Sequence, residues 1–140
     1  MNTISHIPFV RSQGFELIVS AQGRSELRLA LRPDQENHLG LAHGGVLMTL
    51  LDVAMAQAIR SLNQEVSVIT IEMKTTFMQA STGVLTAHGS LLHRTGRMAF
   101  AEASVFDATG LRCAHATGTF RYVTPKITPN VTPKTTESTP

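Results

Sequence analysis

The chain has 140 residues, of which 42% are hydrophobic and 16% charged, and its net charge is +2 with the six histidines neutral. This length fits one domain with a real core, and the composition excludes disorder of the whole chain. The twelve Lys and Arg residues are scattered singly, so no nucleic-acid surface is expected, although two or three arginines beside a pocket could still bind a small anionic ligand.

The composition also predicts where the protein works. The lone Cys113 can form no intrachain disulfide, which favours a reducing compartment, and we expect the cytoplasm. The first fifteen residues lack the basic start and apolar core of a signal peptide. The apolar run 46–59 is too short to span a bilayer and is interrupted by Asp52 and Gln57, so no membrane segment is expected.

The first predicted elements are a β-hairpin and a long helix. Two β-compatible segments flank the turn AQG and predict a hairpin over residues 15–32, followed by a loop at 33–42. Residues 46–62 contain Leu, Met and Ala without Gly or Pro, which predicts a helix with Gly44 and Gly45 at its N-terminus. Apolar residues cover more than one face of this helix, so we expect protein to wrap it almost completely.

Four strands are predicted after the helix, because β-branched and alternating stretches are separated by Gly-containing turns. They cover residues 66–77, 83–94, 97–107 and 111–123. Short links predict antiparallel neighbours, since a parallel crossover needs a dozen or more residues. The order ββαββββ predicts an α+β fold in which an antiparallel sheet curls around one buried helix.

The domain is predicted to span residues 1–123. The last seventeen residues, 124–140, contain six Thr and four Pro and almost no core-forming residues. Burial cannot offset the entropy of ordering such a segment, which predicts a disordered tail. A structured tail that binds a partner is the alternative.

One carboxylate, Asp52, stands inside the apolar run of the helix, where an ionised side chain is costly unless something compensates it. Asn37, the triplet HGG that begins at His43, and Asp52 fall within sixteen residues, NHLGLAHGGVLMTLLD. This pattern resembles the hotdog-fold acyl-CoA thioesterases of the phenylacetic-acid-degradation type. The resemblance covers residues 7–123 and includes the GTF that precedes the last apolar strand.

The resemblance implies the hotdog fold and hydrolysis of an aryl- or fatty-acyl-CoA to free acid and CoA. It assigns polarisation of the thioester carbonyl to Gly45, and the role of general base or nucleophile to Asp52. Asn37 would hold the water or orient the carboxylate, and His43 would brace the loop or bond near the thioester oxygen. No cofactor or metal is implied, because coenzyme A arrives as part of the substrate.

The chemistry suits these residue types independently of the family. Backbone N–H groups at a helix N-terminus are unpaired and carry partial positive charge, so Gly44 and Gly45 can present donors to an oxyanion without an obstructing side chain. Asp52 lies roughly 10 Å along the helix from Gly45 and cannot reach it. The resemblance therefore implies a homodimer with shared active sites, and such dimers often pair into homotetramers.

Contacts to CoA are predicted at the turn HRTGR, where Arg94 and Arg97 would suit its phosphates. The alternative is a solvated hairpin tip. The chain departs from the family at Met78 and Gln79, where Arg-Pro often stands. That puts in doubt a phosphate contact made there and could reshape the acyl pocket.

Several residues have simpler interpretations. The five histidines outside HGG show no spacing for metal ligands. Met48, Met55 and Met73 are core residues or line an acyl pocket. Cys113 is a small core residue. The alternative function is a non-catalytic hotdog subunit that binds acyl thioesters or a partner protein; a dehydratase of this fold is disfavoured, because those enzymes usually pair His and Asp differently and lack HGG.

Overall fold

The computed structural model describes residues 4–124, so the predicted tail lies outside the described residues apart from Thr124. The elements, with one 3-10 turn, are α1 (Pro8–Gln13), β1 (Glu16–Ala21), β2 (Arg24–Ala30), a 3-10 turn (Pro33–Gln35), α2 (Gly44–Arg60), β3 (Ser67–Phe77), β4 (Val84–Arg94), β5 (Met98–Phe106) and β6 (Arg112–Val123). The hairpin, the central helix and the four later strands are confirmed. The sequence did not predict α1, since six residues are too few to show a helical period.

The six strands form one sheet in the order β1-β2-β4-β5-β6-β3, and each neighbouring pair is antiparallel. The sheet curls around α2, which contacts all six strands. The predicted α+β hotdog architecture is therefore confirmed. No helix within residues 4–124 has the length and hydropathy that crossing a membrane would require.

One prediction about neighbours is wrong, because β3 and β4 are consecutive but do not pair. The link 78–83 runs along the strand ends instead of turning back. At its start the N–H groups of Met78 and Gln79 donate to the carbonyl of Cys113. At its end the carbonyl of Gly83 accepts from Leu31, which delivers β4 to the side of β2. Six residues are enough for this crossing, because an extended segment of that length spans about 20 Å and three strand spacings amount to about 14 Å.

The sheet-facing side of α2 forms the centre of the core. Leu50, Leu51, Ala54 and Ala58 are fully buried there. The helix backbone approaches the sheet most closely at Ala54, whose carbonyl accepts a 2.5 Å hydrogen bond from Ser25 Oγ. A Cβ on Gly89 would collide with that same carbonyl, so only glycine fits beneath it.

The opposite side of α2 is only partly buried, so the prediction that protein wraps the helix almost completely is wrong for the single chain. The residues left open follow the helical repeat and are called here the open stripe: Gly45, Met48, Thr49, Asp52 and Ala56. The sheet is concave and covers a helix from one side, so this chain alone leaves the other side uncovered. The Asp52 carboxylate lies in the middle of this stripe.

Candidate active site

Asp52 is held in place by a neighbouring strand. Thr70, on the helix-facing side of β3, donates its hydroxyl to Asp52 Oδ1 at 2.6 Å. Burial raises the pKa of Asp52, and the Thr70 hydrogen bond lowers it in part. The result is an oriented carboxylate with more basicity than an exposed one, as a general base requires.

A cavity of about 250 Å³ adjoins this carboxylate. Its lining residues come from α1, α2 and β3, and they are Phe9, Met48, Thr49, Asp52, Thr70 and Met73. Asp52 is the charged group among them. The cavity is therefore an apolar space with one carboxylate in its wall.

The HGG triplet forms the start of α2. His43 is the N-cap residue with extended backbone angles, φ −63° and ψ 137°, and its Nδ1 accepts the N–H of Gly45 at 2.9 Å. Neutral His43 therefore carries its proton on Nε2. The expectation that Gly45 offers a free amide to the thioester carbonyl is not met, because the cap uses that amide.

The free donor is instead Gly44. Within residues 4–124 no acceptor lies within hydrogen-bond distance of its N–H, as expected for the first residue of a helix. The ring of Phe77, at the end of β3, lies 3.3 Å from the position that a Cβ on Gly44 would occupy. Glycine at this position therefore leaves room for a close approach beside an aromatic wall.

Asn37 shapes the loop before the helix. Its Oδ1 accepts the N–H groups of Leu39 at 2.9 Å and Leu41 at 3.2 Å, and its own N–H donates to the carbonyl of Leu41. The side-chain NH₂ of Asn37 has no acceptor among the described residues. Asn37 does not contact Asp52 of its own chain, so a role beside a carboxylate needs a different carboxylate.

The predicted arginines lie together. Arg94 and Arg97 line a cavity of about 700 Å³ beyond the C-terminal end of α2, which also includes Arg121 and Tyr122. None of these three guanidiniums belongs to an ion pair within the part of the chain that the structure describes. Arg121 was not predicted from the sequence, because its approach to the hairpin tip depends on the pairing of β5 with β6.

The metal-binding side chains do not gather at this site. Across residues 4–124 there is no cluster of three or more His, Cys, Asp or Glu residues that could hold a metal ion. The groups that the structure brings near α2 are thus a carboxylate, a helix N-terminus and, at the far end, three guanidiniums.

Known proteins share this fold and pattern. A family model described as the thioesterase superfamily matches residues 39–114. A Saccharolobus solfataricus protein named as a candidate esterase is 27% identical over 108 residues, 76% of this chain and 72% of its own. A conserved protein of Pseudomonas aeruginosa has a TM-score of 0.78 with 27% identity, covering 82% of this chain and 93% of that one.

The PaaI protein of the Escherichia coli phenylacetic acid degradation operon has a TM-score of 0.79 with 20% identity, covering 86% of this chain and 88% of that one. At that identity the likeness concerns the fold. The family match, by contrast, spans more than half of the chain and includes the HGG triplet and Asp52. The chain therefore belongs to the thioesterase superfamily, and its fold is that of the PaaI-type hotdog proteins.

Proposed function

We propose that the protein hydrolyses the thioester of an aryl- or fatty-acyl-CoA to the free acid and CoA. Membership of the thioesterase superfamily supports thioester hydrolysis in general. The observation that carries the proposal is the Asp52 carboxylate, oriented by Thr70 and set in the wall of an apolar cavity. A thioester with an apolar acyl group fits beside such a carboxylate.

In the proposed reaction Asp52 acts as general base and takes a proton from the water that attacks the carbonyl carbon. The Gly44 N–H stabilises the oxyanion that develops on the carbonyl oxygen. Collapse of this intermediate breaks the carbon–sulfur bond, and the thiolate of CoA leaves and takes up the proton. If Asp52 attacks directly as nucleophile, a mixed anhydride forms and water then hydrolyses it, with the same products.

The donor and the base of one reaction come from two copies of the chain in this proposal. Gly44 and Asp52 are eight residues apart, or roughly 12 Å along α2, which is too far for both to contact one carbonyl group. A homodimer in which each helix start faces the partner's carboxylate satisfies the chemistry. The partner's carboxylate is also one that Asn37 could orient, or one whose water it could hold.

The edge strand β3 supports a second copy as the occupant of this surface. β3 has a neighbour on one side, β6, and its Ile69 and Ile71 are 48% and 52% exposed. An exposed apolar edge is a template for pairing with another strand. Antiparallel pairing of β3 with its own copy, centred on Met73, would place Glu72 opposite the partner's Lys74, twice in each dimer.

This register also brings the two halves of the site together. Phe77, which covers Gly44, would lie near the partner's Thr70, the residue that holds Asp52. The pairing that matches the charges is thus the pairing that assembles donor and base. On the resemblance, we further propose that two such dimers form a homotetramer.

Charge reversal tests the register. We expect Glu72→Lys and Lys74→Glu, made separately, to weaken the dimer about tenfold, because each puts like charges opposite one another in both pairs. The double variant restores the opposite charges and should recover wild-type association. Sedimentation equilibrium measures the dimer dissociation constant of all four proteins. If both single variants dimerise as tightly as the wild type, the register is contradicted.

The nucleotide end of the substrate is assigned to Arg94, Arg97 and Arg121. Guanidiniums bind phosphates well, and these three have no carboxylate partner among the described residues. Arg94→Gln and Arg97→Gln should raise KM for an acyl-CoA and leave KM for the corresponding acyl-pantetheine unchanged. Cytoplasmic location is proposed from the lone Cys113, which is buried and unpaired as a thiol.

A substrate panel tests the function. Purified protein is incubated with aryl- and fatty-acyl-CoAs, and the free thiol is detected with a disulfide reagent. We expect turnover with the wild type and a loss on the order of a thousandfold in Asp52→Ala and Asp52→Asn. Retention of the wild-type rate by both variants contradicts the mechanism, whereas tight acyl-CoA binding without turnover on any substrate favours a non-catalytic binding subunit.

A further inference from the structure

The cavity beside Asp52 presents fewer free polar groups than the two threonines in its wall would suggest. Two threonines line it, but both hydroxyls are already used within the chain. Thr49 Oγ1 donates to the carbonyl of Gly45 at 2.8 Å, and Thr70 Oγ1 donates to Asp52 at 2.6 Å. Apart from the carboxylate, the cavity therefore offers a ligand mainly carbon and sulfur atoms and no free hydroxyl donor.

Phe9 forms one wall of this cavity from an element that the sequence did not predict. Its side chain is 59% exposed, although it touches the space beside Asp52 and the adjoining cavity of about 310 Å³ at His43 and Gly45. An exposed ring at this position adds little apolar burial to the isolated chain. If a ligand fills the cavity, the ring gains contact area with it.

The helix that carries Phe9 is fixed to the domain. Val10, the next residue, is buried in the core. The guanidinium of Arg32 donates to the carbonyl of Ser12 at 2.9 Å, and the amide of Gln35 donates to the carbonyl of Gln13 at 2.8 Å. These anchors hold the backbone of Phe9 at one place beside the open stripe.

The opposite walls can adapt. Met48, which is 39% exposed, and Met73 contribute unbranched thioether side chains that change rotamer at little cost. A ring on an anchored helix, beside two flexible side chains, suits a flat or extended apolar group of variable length. It does not suit a polar acyl group, because these walls offer no free donor to replace the hydrogen bonds of that group with water.

We propose that Phe9 is a specificity-determining residue, against which the acyl group of the substrate packs, and that this acyl group is a medium-length alkyl chain or an aryl group without polar substituents. The inference rests on the proposed hydrolysis at Asp52. The thioester carbonyl lies at the carboxylate, and the acyl group extends along the open stripe towards Phe9.

The test compares substrates in a Phe9→Ala variant. We expect kcat/KM for octanoyl-CoA and phenylacetyl-CoA to fall about tenfold, since a pocket loses a few methylene contacts, while acetyl-CoA is hydrolysed as in the wild type. Phe9→Leu should keep most of the preference. Leu111→Ala, which removes a 49% exposed side chain from the distant β5–β6 turn, is the matched surface control and should change nothing.

A binding measurement separates this inference from the proposed function. Octyl-CoA and methyl-CoA thioethers cannot be hydrolysed, so calorimetric titration measures their binding affinity without turnover. If the wild type binds octyl-CoA more tightly than methyl-CoA and Phe9→Ala does not, the inference is supported. If in addition no thioester is cleaved, the proposed function is contradicted but the role of Phe9 in binding is not. Equal changes for long and short acyl groups, or a preference for succinyl-CoA over octanoyl-CoA, would overturn the role of Phe9.

Discussion

The two faces of α2 differ in whether the chain itself buries them. On the sheet-facing side, Leu50, Leu51 and Ala54 are fully buried, and glycine and serine residues beneath them adjust the sheet to the helix backbone. On the open stripe, Met48 is exposed, and Asp52 is bonded to β3 and only partly buried. The chain's own sheet buries one face. The other face stays partly exposed and has the mixed apolar and polar composition of a surface that a second copy could cover.

This difference places the core residues and the proposed catalytic carboxylate on opposite faces of one helix. Substitutions on the sheet-facing side should act on folding. Substitutions along the open stripe and at the helix start should act on turnover and leave the fold largely unchanged. Each prediction below tests whether that separation holds.

The largest effect is expected on the buried side, at Gly89. Gly89→Val places a branched side chain against the carbonyl of Ala54, and the resulting overpacking should cost several kcal/mol, enough to prevent folding in a domain of this size. Circular dichroism and thermal unfolding measure the loss. Gly96→Ala, at a position with open space, is the control, and wild-type stability of Gly89→Val would refute the packing at Ala54.

The next effect is expected at the helix start. Gly44→Pro removes one N–H group, and proline is tolerated there because it suits the first position of a helix and His43 is already extended. We expect kcat to fall about 100- to 1,000-fold, as for loss of an oxyanion donor. Gly44→Ala keeps the N–H and has only to displace the ring of Phe77, so it should lose far less; equal losses in the two variants would remove Gly44 from the mechanism.

A smaller effect is expected on the pH dependence. Thr70 stabilises the ionised form of Asp52, so Thr70→Val should raise the pKa of this carboxyl further above its ordinary value. Because the base acts when deprotonated, the acid limb of the pH profile of kcat/KM should move to higher pH. Thr109→Val, which breaks another Thr–Asp hydrogen bond at the distant β5–β6 turn, should leave the limb in place.

The smallest effect concerns stability. The pKa of Asp52 is raised in the folded chain, so the protonated form favours folding below the unfolded-state pKa, and that advantage is lost as pH rises through the folded-state pKa. Asparagine does not ionise, so Asp52→Asn avoids this loss of folding stability. The variant should have a Tm a few degrees higher at pH 8 but not at pH 3. An unchanged or lower Tm at pH 8 would show that the carboxylate is not desolvated.

The sequence predicted the elements well where residue patterns are local. Alternating β-branched residues located the four later strands within one or two residues of their observed ends, and the absence of Gly and Pro located α2. The pairing of β4 with β2 depends on how the link 78–83 crosses the strand ends, which residue types do not encode. The six residues of α1 are held by contacts from distant parts of the chain.

The sequence indicated candidate site residues but not their hydrogen bonds. The spacing of His43 and Asp52 pointed to one candidate site, yet a cap that uses the Gly45 amide and leaves that of Gly44 unbonded depends on the orientation of one imidazole ring. Arg121 and Phe9 were missed because each reaches its cavity through tertiary packing.

Complementation between two inactive variants tests the shared site most directly. Asp52→Asn and Gly44→Pro chains are co-expressed with different tags, and dimers carrying both tags are purified. If donor and base come from different copies, each mixed dimer has one intact site and one with both lesions, so we expect about half of the wild-type activity. If the mixed dimer is as inactive as either parent, donor and base belong to the same chain and the account is wrong.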